Sequence, residues 1–216
     1  MSDVMRAHSA AFGDMDDSKI DILNAAAEAF MRKGFAAASI DDVADILGCT
    51  KGRIYHHYRS KADLFFDVHL CGMAMDIGAV REAMSEGHDP LEQLYHMAVG
   101  HLTVIISNIA YQRVAVQALE PHLTGATTPT QMKTLKQILL LRDEYEGLFA
   151  SKIEEAMAAG QVPQQNTRLT VKAFLGSLNW TTIWYRERRN QSKEDRRKLV
   201  DEVATFALRG LGARVR

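Results

Sequence analysis

The feature that most constrains the fold of this chain is residues 39–64, which have the pattern of two short helices joined by a tight turn. Ser39 can cap the first helix, with Asp42 three residues later completing an acidic version of the capping box. Gly48 can adopt the positive φ that ends such a helix. Between these residues an apolar face recurs at helical spacing, made by Ile40, Val43, Ala44 and Leu47.

The second helix of this stretch follows Thr50, a capping residue, and extends to about Tyr58. Ile54 and Tyr58 are four residues apart and are expected to anchor it to the core. The outer side carries Lys51, Arg53, Tyr55, His56 and His57. The layout, with a local excess of basic residues, predicts a helix-turn-helix whose second helix enters the DNA major groove. The alternative is an ordinary helical hairpin with a solvated basic face.

Residues 48–64, Gly-Cys-Thr-Lys-Gly-Arg-Ile-Tyr-His-His-Tyr-Arg-Ser-Lys-Ala-Asp-Leu, resemble the signature of the tetracycline-repressor (TetR) family. The usual string in that family is Gly-Val-Ser-Lys-Gly-Thr-Leu-Tyr-Tyr-His-Phe-x-Ser-Lys-Glu-x-Leu. Cys49, Thr50 and Tyr58 are mild departures from it. Arg53 is the informative departure, because it places a long, charged side chain where many members carry a small residue.

The resemblance implies that this stretch contacts a double-stranded DNA operator. The residues expected at that interface are Ser39, Thr50, Lys51, Gly52, Arg53, Tyr55, His56, His57 and Lys61. Arg53 and His56 are our candidates for contacts with base edges, and Arg53 suits guanine. The residues expected mainly to contact phosphates are Thr50, Lys51, Tyr55, His57 and Lys61.

Composition favours an all-α protein with reduced cysteines. The chain has 216 residues, 47% of them hydrophobic, and only four prolines, which suits long helices with short connections. Its net charge of −1 shows no overall excess of basic residues, so the prediction of DNA binding depends on the basic residues clustered at 50–62. Cys49 and Cys71 lack zinc-like spacing and indicate a cytoplasmic protein rather than a disulfide scaffold.

The division that we expect is a flexible arm at 1–17, a helix-turn-helix domain at 18–64 and a ligand-binding and dimerisation domain at 65–216. The arm has no sustained apolar run, and no later segment has the length of a membrane span, so a soluble protein is expected. The predicted helices outside residues 39–58 are, by approximate bounds, 18–34, 61–86, 90–108, 111–118, 131–159, 167–186 and one that begins after Ser192.

The predicted helix at 167–186 is apolar on two sides, which indicates burial on two sides. One face carries Ala173, Gly176, Ser177, Trp180 and Trp184. A subunit interface is the simplest second burial partner, and in the TetR family the last two helices of each subunit form a four-helix dimer interface. A homodimer also suits a palindromic operator.

No enzyme motif is present: His-Glu-x-x-His, Gly-x-Ser-x-Gly and a phosphate-cradling glycine loop are all missing. We therefore expect no catalytic residue, no metal and no cofactor. An apolar effector pocket is more plausible, although a solid core is the alternative for each of its residues. The candidate lining residues are Met73, Met97, Tyr111, Met132, Tyr145, Phe149, Asn179, Trp180 and Trp184.

A second resemblance concerns residues 178–186, which are similar to a Trp-x-x-x-Trp-Tyr-Arg segment of TetR members that regulate lipid or steroid catabolism. Those members respond to acyl-coenzyme A thioesters, which implies an effector of that type. Arg186, Arg188 and Arg189 suit coenzyme A phosphates, or they simply favour a helix C-terminus. The combined hypothesis is a ligand-responsive repressor released from DNA by its effector. The alternative is a protein of the TetR fold that binds ligands or acts as a scaffold without binding an operator.

Overall fold

The structure, a computed structural model, describes residues 13, 15–117, 119 and 127–213. Within these ranges it contains helices and no strand, which confirms the all-α class. The helices are α1 (Asp17–Ala37), α2 (Ile40–Leu47), α3 (Lys51–His57), α4 (Lys61–Ala83), α5 (Pro90–Ser107), α6 (Ile109–Ala115), α7 (Pro129–Ala158), α8 (Thr167–Asn179), α9 (Thr181–Trp184) and α10 (Lys193–Gly210). The predicted arm lies almost entirely outside the described residues.

The described chain forms two compact units. One contains α1 to α3, α6 and the segments of α4 and α7 up to Met75 and Arg142. The other contains the remainders of α4 and α7 together with α5 and α8 to α10. These compact units do not separate at residue 64, so the predicted boundary between a DNA-binding domain at 18–64 and a ligand-binding domain at 65–216 stays a prediction. No helix in the described ranges combines the length and the apolar character needed to cross a membrane.

In the first unit, α1, α2 and α3 pack around buried aromatic and aliphatic side chains. Phe30 and Phe65 meet edge to face with ring centroids 5.2 Å apart, and Phe35 lies 4.6 Å from Phe65. Ile54 is completely buried, which fixes α3 to this core. Because Ile54 points inward, the neighbouring positions of α3 point outward.

The local signals around α2 behave as predicted, with one exception. The capping box of Ser39 and Asp42 is complete, and Gly48 ends the helix with φ 66° and ψ 35°. Thr50 occupies the cap position of α3, but its side chain makes no capping hydrogen bond. α1 also contains a non-helical residue, Gly34, with φ 72° and ψ 163°, where sequence analysis ended this helix.

In the second unit, α10 packs against α5 and α8. Ser192 and Asp195 form the capping box that begins α10. The prediction of one helix from 167 to 186 is wrong in its second half. α8 ends at Asn179, a single turn follows at Thr181–Trp184, and Tyr185 is extended with ψ 131°.

Candidate nucleic-acid interface and effector region

The outer side of α3 carries an accessible set of hydrogen-bonding side chains. Lys51, Gly52, Arg53, Tyr55 and His56 are exposed, and His57 is partly buried. Thr50, just before the helix, is also exposed. The structure therefore brings seven of the nine candidate DNA-binding residues onto one short helix and its cap.

Arg53 is held by residues at the beginning of α1. Its Nε and Nη2 atoms donate hydrogen bonds to Ser18 Oγ at 3.2 and 3.1 Å. The same guanidinium lies 3.6 Å from an Asp21 carboxylate oxygen. Ser18 Oγ is also 3.4 Å from His57 Nε2. Neither Ser18 nor Asp21 could be predicted as a partner of Arg53, because no local sequence pattern marks a contact between residues more than thirty positions apart.

Ser39 and Lys61, the other two candidates, have structural roles in this conformation. The Ser39 hydroxyl donates to Asp42 Oδ2 at 2.9 Å and accepts from the Asp42 N–H at 3.1 Å. Hydrogen bonds from Lys33 and from Ser39 lower the pKa of Asp42 to about 2. The carboxylate of this capping box is therefore ionised at neutral pH.

Lys61 Nζ satisfies carbonyl groups at the end of α1. It donates to the carbonyl oxygens of Phe35 at 2.7 Å and Ala38 at 2.8 Å, with Ala36 at 3.3 Å. It also lies 4.5 Å from the centre of the Phe35 ring. A phosphate contact by Lys61 stays a prediction, and it requires the amine to share or leave these acceptors.

We expect Lys61→Met to destabilise the fold as well as to weaken DNA binding. Hydrogen bonds to a charged group contribute about 1.5–3 kcal/mol, and the substitution leaves their carbonyl acceptors without this donor. Urea unfolding followed by circular dichroism measures the loss. The control is Lys51→Met, since the exposed Lys51–Asp41 pair, 3.3 Å apart, contributes at most about 1 kcal/mol. Equal stability of the two variants would contradict the capping role of Lys61.

In the second unit, four of the candidate pocket residues lie near a buried polar cluster or in the same core. His101 is buried, its Nδ1 lies 2.6 Å from Tyr145 Oη, and its Nε2 lies 3.0 Å from Asn179 Oδ1. Phe149 packs on Tyr145 with ring centroids 5.4 Å apart, and Met97 is fully buried. These contacts fit a neutral imidazole that donates to Asn179 and accepts from Tyr145.

The remaining candidates do not join this cluster. Trp180 is 63% exposed and Trp184 is 44% exposed, so both indoles face outward in the single chain. Met73, Tyr111 and Met132 belong to the first unit, where the Tyr111 hydroxyl donates to Asn24 Oδ1 at 2.9 Å. A pocket lined by all nine residues stays a prediction.

Burial of His101 predicts a pH-dependent stability. Desolvation lowers the pKa of His101 from 6.5 to about 4. Below pH 6.5 the His101 side chain is protonated in the unfolded chain but stays neutral in the native protein until the pH approaches 4. The free energy of unfolding therefore falls as the pH decreases from 6.5 towards 4. The difference between 6.5 and 4 corresponds to about 3 kcal/mol.

The measurement is urea unfolding at several pH values from 7 to 4, for the wild type and for His101→Gln. We expect the glutamine variant to lose this part of the pH slope, whatever its stability at pH 7. The same slope in both proteins would show that His101 is not the titrating group.

α8, with its C-cap residue Trp180, and α10 carry what we call the outer apolar face, made by Leu169, Ala173, Gly176, Trp180 and Phe206. Phe206 is 70% exposed and Leu169 is 67% exposed. A groove of about 270 Å³ lies along this face between α8 and α10, with Ala173, Ser177 and Gly210 in its lining. The second apolar side that was predicted for residues 167–186 is therefore exposed to solvent in a single chain.

A separate cleft of about 510 Å³ lies beside Trp184. Arg186 and Arg188 line it together with the amide side chains of Asn190 and Gln191. It combines an aromatic surface, two guanidinium groups and amide side chains with the carboxylate of Asp195, which accepts hydrogen bonds from Ser192 in the capping box of α10. The two guanidinium groups beside the ring suit an anionic ligand with a flat ring. Arg189 is not part of its lining. Among the described residues, no group of three or more His, Cys, Asp or Glu is arranged to hold a metal ion.

Comparison with known families assigns the chain to a class. Residues 22–68 match the family described as bacterial regulatory proteins, tetR family. Residues 87–211 match the tetracyclin repressor-like, C-terminal domain. The chain belongs to the TetR family of transcriptional regulators: it is a DNA-binding regulator with a helix-turn-helix, and not an enzyme.

One curated relative is similar in sequence, and two solved structures are similar in fold. The HTH-type transcriptional repressor KstR2 of Rhodococcus jostii (strain RHA1) is 25% identical over 171 residues, 78% of this chain and 79% of KstR2. The ketosteroid transcriptional regulator KstR2 of Mycobacterium tuberculosis has the same fold, with a TM-score of 0.76 at 19% identity over 92% of this chain and 97% of the other. AibR in complex with isovaleryl coenzyme A and operator DNA has a TM-score of 0.72 at 18% identity over 90% and 98%.

Proposed function

We propose that this protein is a cytoplasmic homodimeric repressor that binds a palindromic operator and is released from it by an acyl-coenzyme A thioester. The observation that carries the dimer is the outer apolar face, because monomeric proteins rarely leave contiguous large apolar side chains exposed. Two copies related by a two-fold axis bury the same face on each subunit. That symmetry presents two α3 helices to two inverted half-sites.

On the operator, the exposed side of α3 supplies both kinds of contact. Arg53 and His56 read base edges, while Thr50, Lys51, Tyr55, His57 and Lys61 contact phosphates. Arg53 is the main reader, because a guanidinium can donate two hydrogen bonds to guanine O6 and N7. Bound protein represses by excluding polymerase from the promoter. Repression rather than activation is supported by the relatives that are described as repressors.

For the effector, the cleft beside Trp184 supports the coenzyme A part of the ligand. The indole offers a surface for the adenine ring, and Arg186 and Arg188 offer forks for phosphates. AibR, which has the same fold, has been solved with isovaleryl coenzyme A. Release from DNA requires the thioester to bind the DNA-free form more tightly than the operator-bound form.

The test is a gel-shift titration of purified protein on DNA from upstream of its own gene, with isovaleryl coenzyme A, longer acyl-coenzyme A thioesters and the free acids. We expect specific binding that a thioester releases and that the matching free acid does not. Specific binding disturbed by no thioester would remove the effector from the proposal and keep the repressor. Loss of release in Arg188→Ala, with operator binding retained, would support the cleft as its site.

A scaffold or ligand-binding protein without operator binding is the competing function. The accessible side of α3 favours DNA, because its side chains are hydrogen-bonding groups and not an apolar docking surface. A scaffold would bind unrelated duplexes equally and would be unaffected by Arg53→Ala.

A further inference from the structure

We propose that a cleft between α5 and α10 is a second ligand site, which binds an amphiphilic carboxylate, that is, a free acid with an apolar chain. We call it the α5–α10 cleft; its lining extends from Tyr95 to Ser107 on α5 and from Lys193 to Asp201 on α10. Its volume is about 520 Å³, within the range of about 300–1,000 Å³ that is typical of small-molecule sites. The site is separate from the cleft beside Trp184 and does not depend on operator binding.

One wall of the α5–α10 cleft is apolar. Val99 and Ile106 contribute to it from α5, and Val200 contributes from α10. Val99 and Ile106 are two helical turns apart and therefore lie on the same side of α5. Val200 is 3% exposed and Ile106 is 8% exposed, so both are packed into the wall. An apolar chain that lies along these side chains is removed from water.

Cationic side chains of α10 line the same cleft. Lys193 and Arg197 are exposed, and neither forms an ion pair with an acid in the part of the chain that the structure describes. Arg196 lines the cleft too, but its Nη2 atom is 2.5 Å from a Glu187 carboxylate oxygen. Lys193 is the first residue of α10, where the helix dipole disfavours positive charge. A bound carboxylate offsets that cost, and the planar fork of Arg197 suits a carboxylate.

Negative charge at the cleft is limited and already engaged. Asp201, the one acid among the described lining residues, accepts a hydrogen bond from Tyr95 Oη at 3.0 Å. Burial and this hydrogen bond raise the pKa of Tyr95, so the phenol stays a donor to Asp201. Glu86 lies outside the lining, 3.2 Å from His96 Nδ1. Three cations therefore face one carboxylate, which favours an anionic amphiphile over a neutral or cationic one.

The α5–α10 cleft does not coincide with the outer apolar face. Phe206 follows Arg197 by about two and a half turns of α10, so the two side chains point to opposite sides of that helix. A dimer formed through the outer apolar face therefore leaves Arg197 accessible to a ligand.

Isothermal titration calorimetry of the full-length protein, without DNA, tests the site with decanoate as the probe. Decanamide is the matched neutral probe, and acetate is the probe that lacks a chain. We expect decanoate to bind once per chain and at least about fivefold more tightly than decanamide, because hydrogen bonds to a charged group are stronger. Acetate should not bind measurably, since it buries no apolar chain. No binding of decanoate, or equal affinities for decanoate and decanamide, would overturn the proposal.

The matched variants are Arg197→Gln and Lys198→Gln, which each remove one exposed cation from neighbouring positions of α10. Only Arg197 lines the cleft. We expect Arg197→Gln to raise the dissociation constant of decanoate by about tenfold and Lys198→Gln to leave it almost unchanged. Equal effects of the two substitutions would indicate a general attraction by charge and would overturn the site.

Two further variants locate the bound chain. Val99→Trp fills the apolar wall and should abolish decanoate binding, with urea unfolding as the check that the variant is folded. Arg188→Gln, in the cleft beside Trp184, should leave decanoate binding unchanged. Binding that depends on Arg188 and not on Arg197 would place the acid in that other cleft and contradict the proposal. Because no DNA is present, a failure of operator binding does not affect this result.

Discussion

Arg53→Ala is expected to lower the affinity for the operator by about 1–3 kcal/mol, or roughly 5- to 150-fold, and to relax the preference at one base pair of each half-site. The reason is geometric, since the guanidinium of Arg53 is a planar fork that can donate two parallel hydrogen bonds to guanine O6 and N7. The measurement is a binding titration on the operator and on variants altered at single base pairs. Unfolding in urea checks that the variant retains its native stability.

The matched control for this result is Lys51→Ala on the same helix. Lys51 is expected to contact phosphate, so its loss should weaken binding to all sequences alike and reduce the salt dependence by about one unit. Arg53→Ala should instead change the order of preference among sequences. If both variants weakened all duplexes equally, Arg53 would be a phosphate contact and the base-reading assignment would be wrong.

The second large effect concerns the outer apolar face. Phe206→Glu places a charge on the most exposed apolar side chain of that face, and in a two-fold interface the change occurs twice. Loss of one anchor costs about 2 kcal/mol and the interface loses two, so we expect the dimer dissociation constant to rise by roughly 700-fold. Analytical ultracentrifugation measures the dissociation, and operator binding should fall with it.

Leu140→Glu is the control for this experiment. Leu140 is 68% exposed on α7, almost the same as Phe206 at 70%, but it lies outside the outer apolar face. It should remain dimeric. Dimers that persist with Phe206→Glu, at the same dissociation constant as the wild type, would show that the subunits associate through another surface.

The features that could be predicted from the sequence are those that depend on residues close to one another along the chain. The capping boxes of Ser39 and Ser192, and the positive φ of Gly48, were correct because each depends on residues within a few positions. The predicted start of α5 at residue 90 was also correct and depends on a local contact, since Asp89 Oδ1 accepts from the backbone N–H groups of Leu91 and Glu92 at 2.9 Å. The TetR signature at residues 48–64 then fixed the fold class and the family.

What the sequence missed involves contacts between distant elements. The donation of Lys61 to the carbonyl groups ending α1 spans more than twenty residues, and the hold of Ser18 and Asp21 on Arg53 spans more than thirty. The break after Asn179 was also missed, because the apolar period continues through Trp180 and Trp184 although the backbone does not. Trp180 and Trp184, on either side of the short turn that follows, are 63% and 44% exposed in the single chain.

The central claim, a homodimer that reads a palindrome through α3, is tested most directly by selecting bound duplexes from random DNA with the full-length protein. The proposal predicts one enriched sequence made of two inverted half-sites, with centres separated by about 10 base pairs or a multiple of that. It also predicts that Arg53→Ala enriches a sequence degenerate at the same position in each half. Enrichment of no sequence, or of a single site without inverted symmetry, would contradict the account.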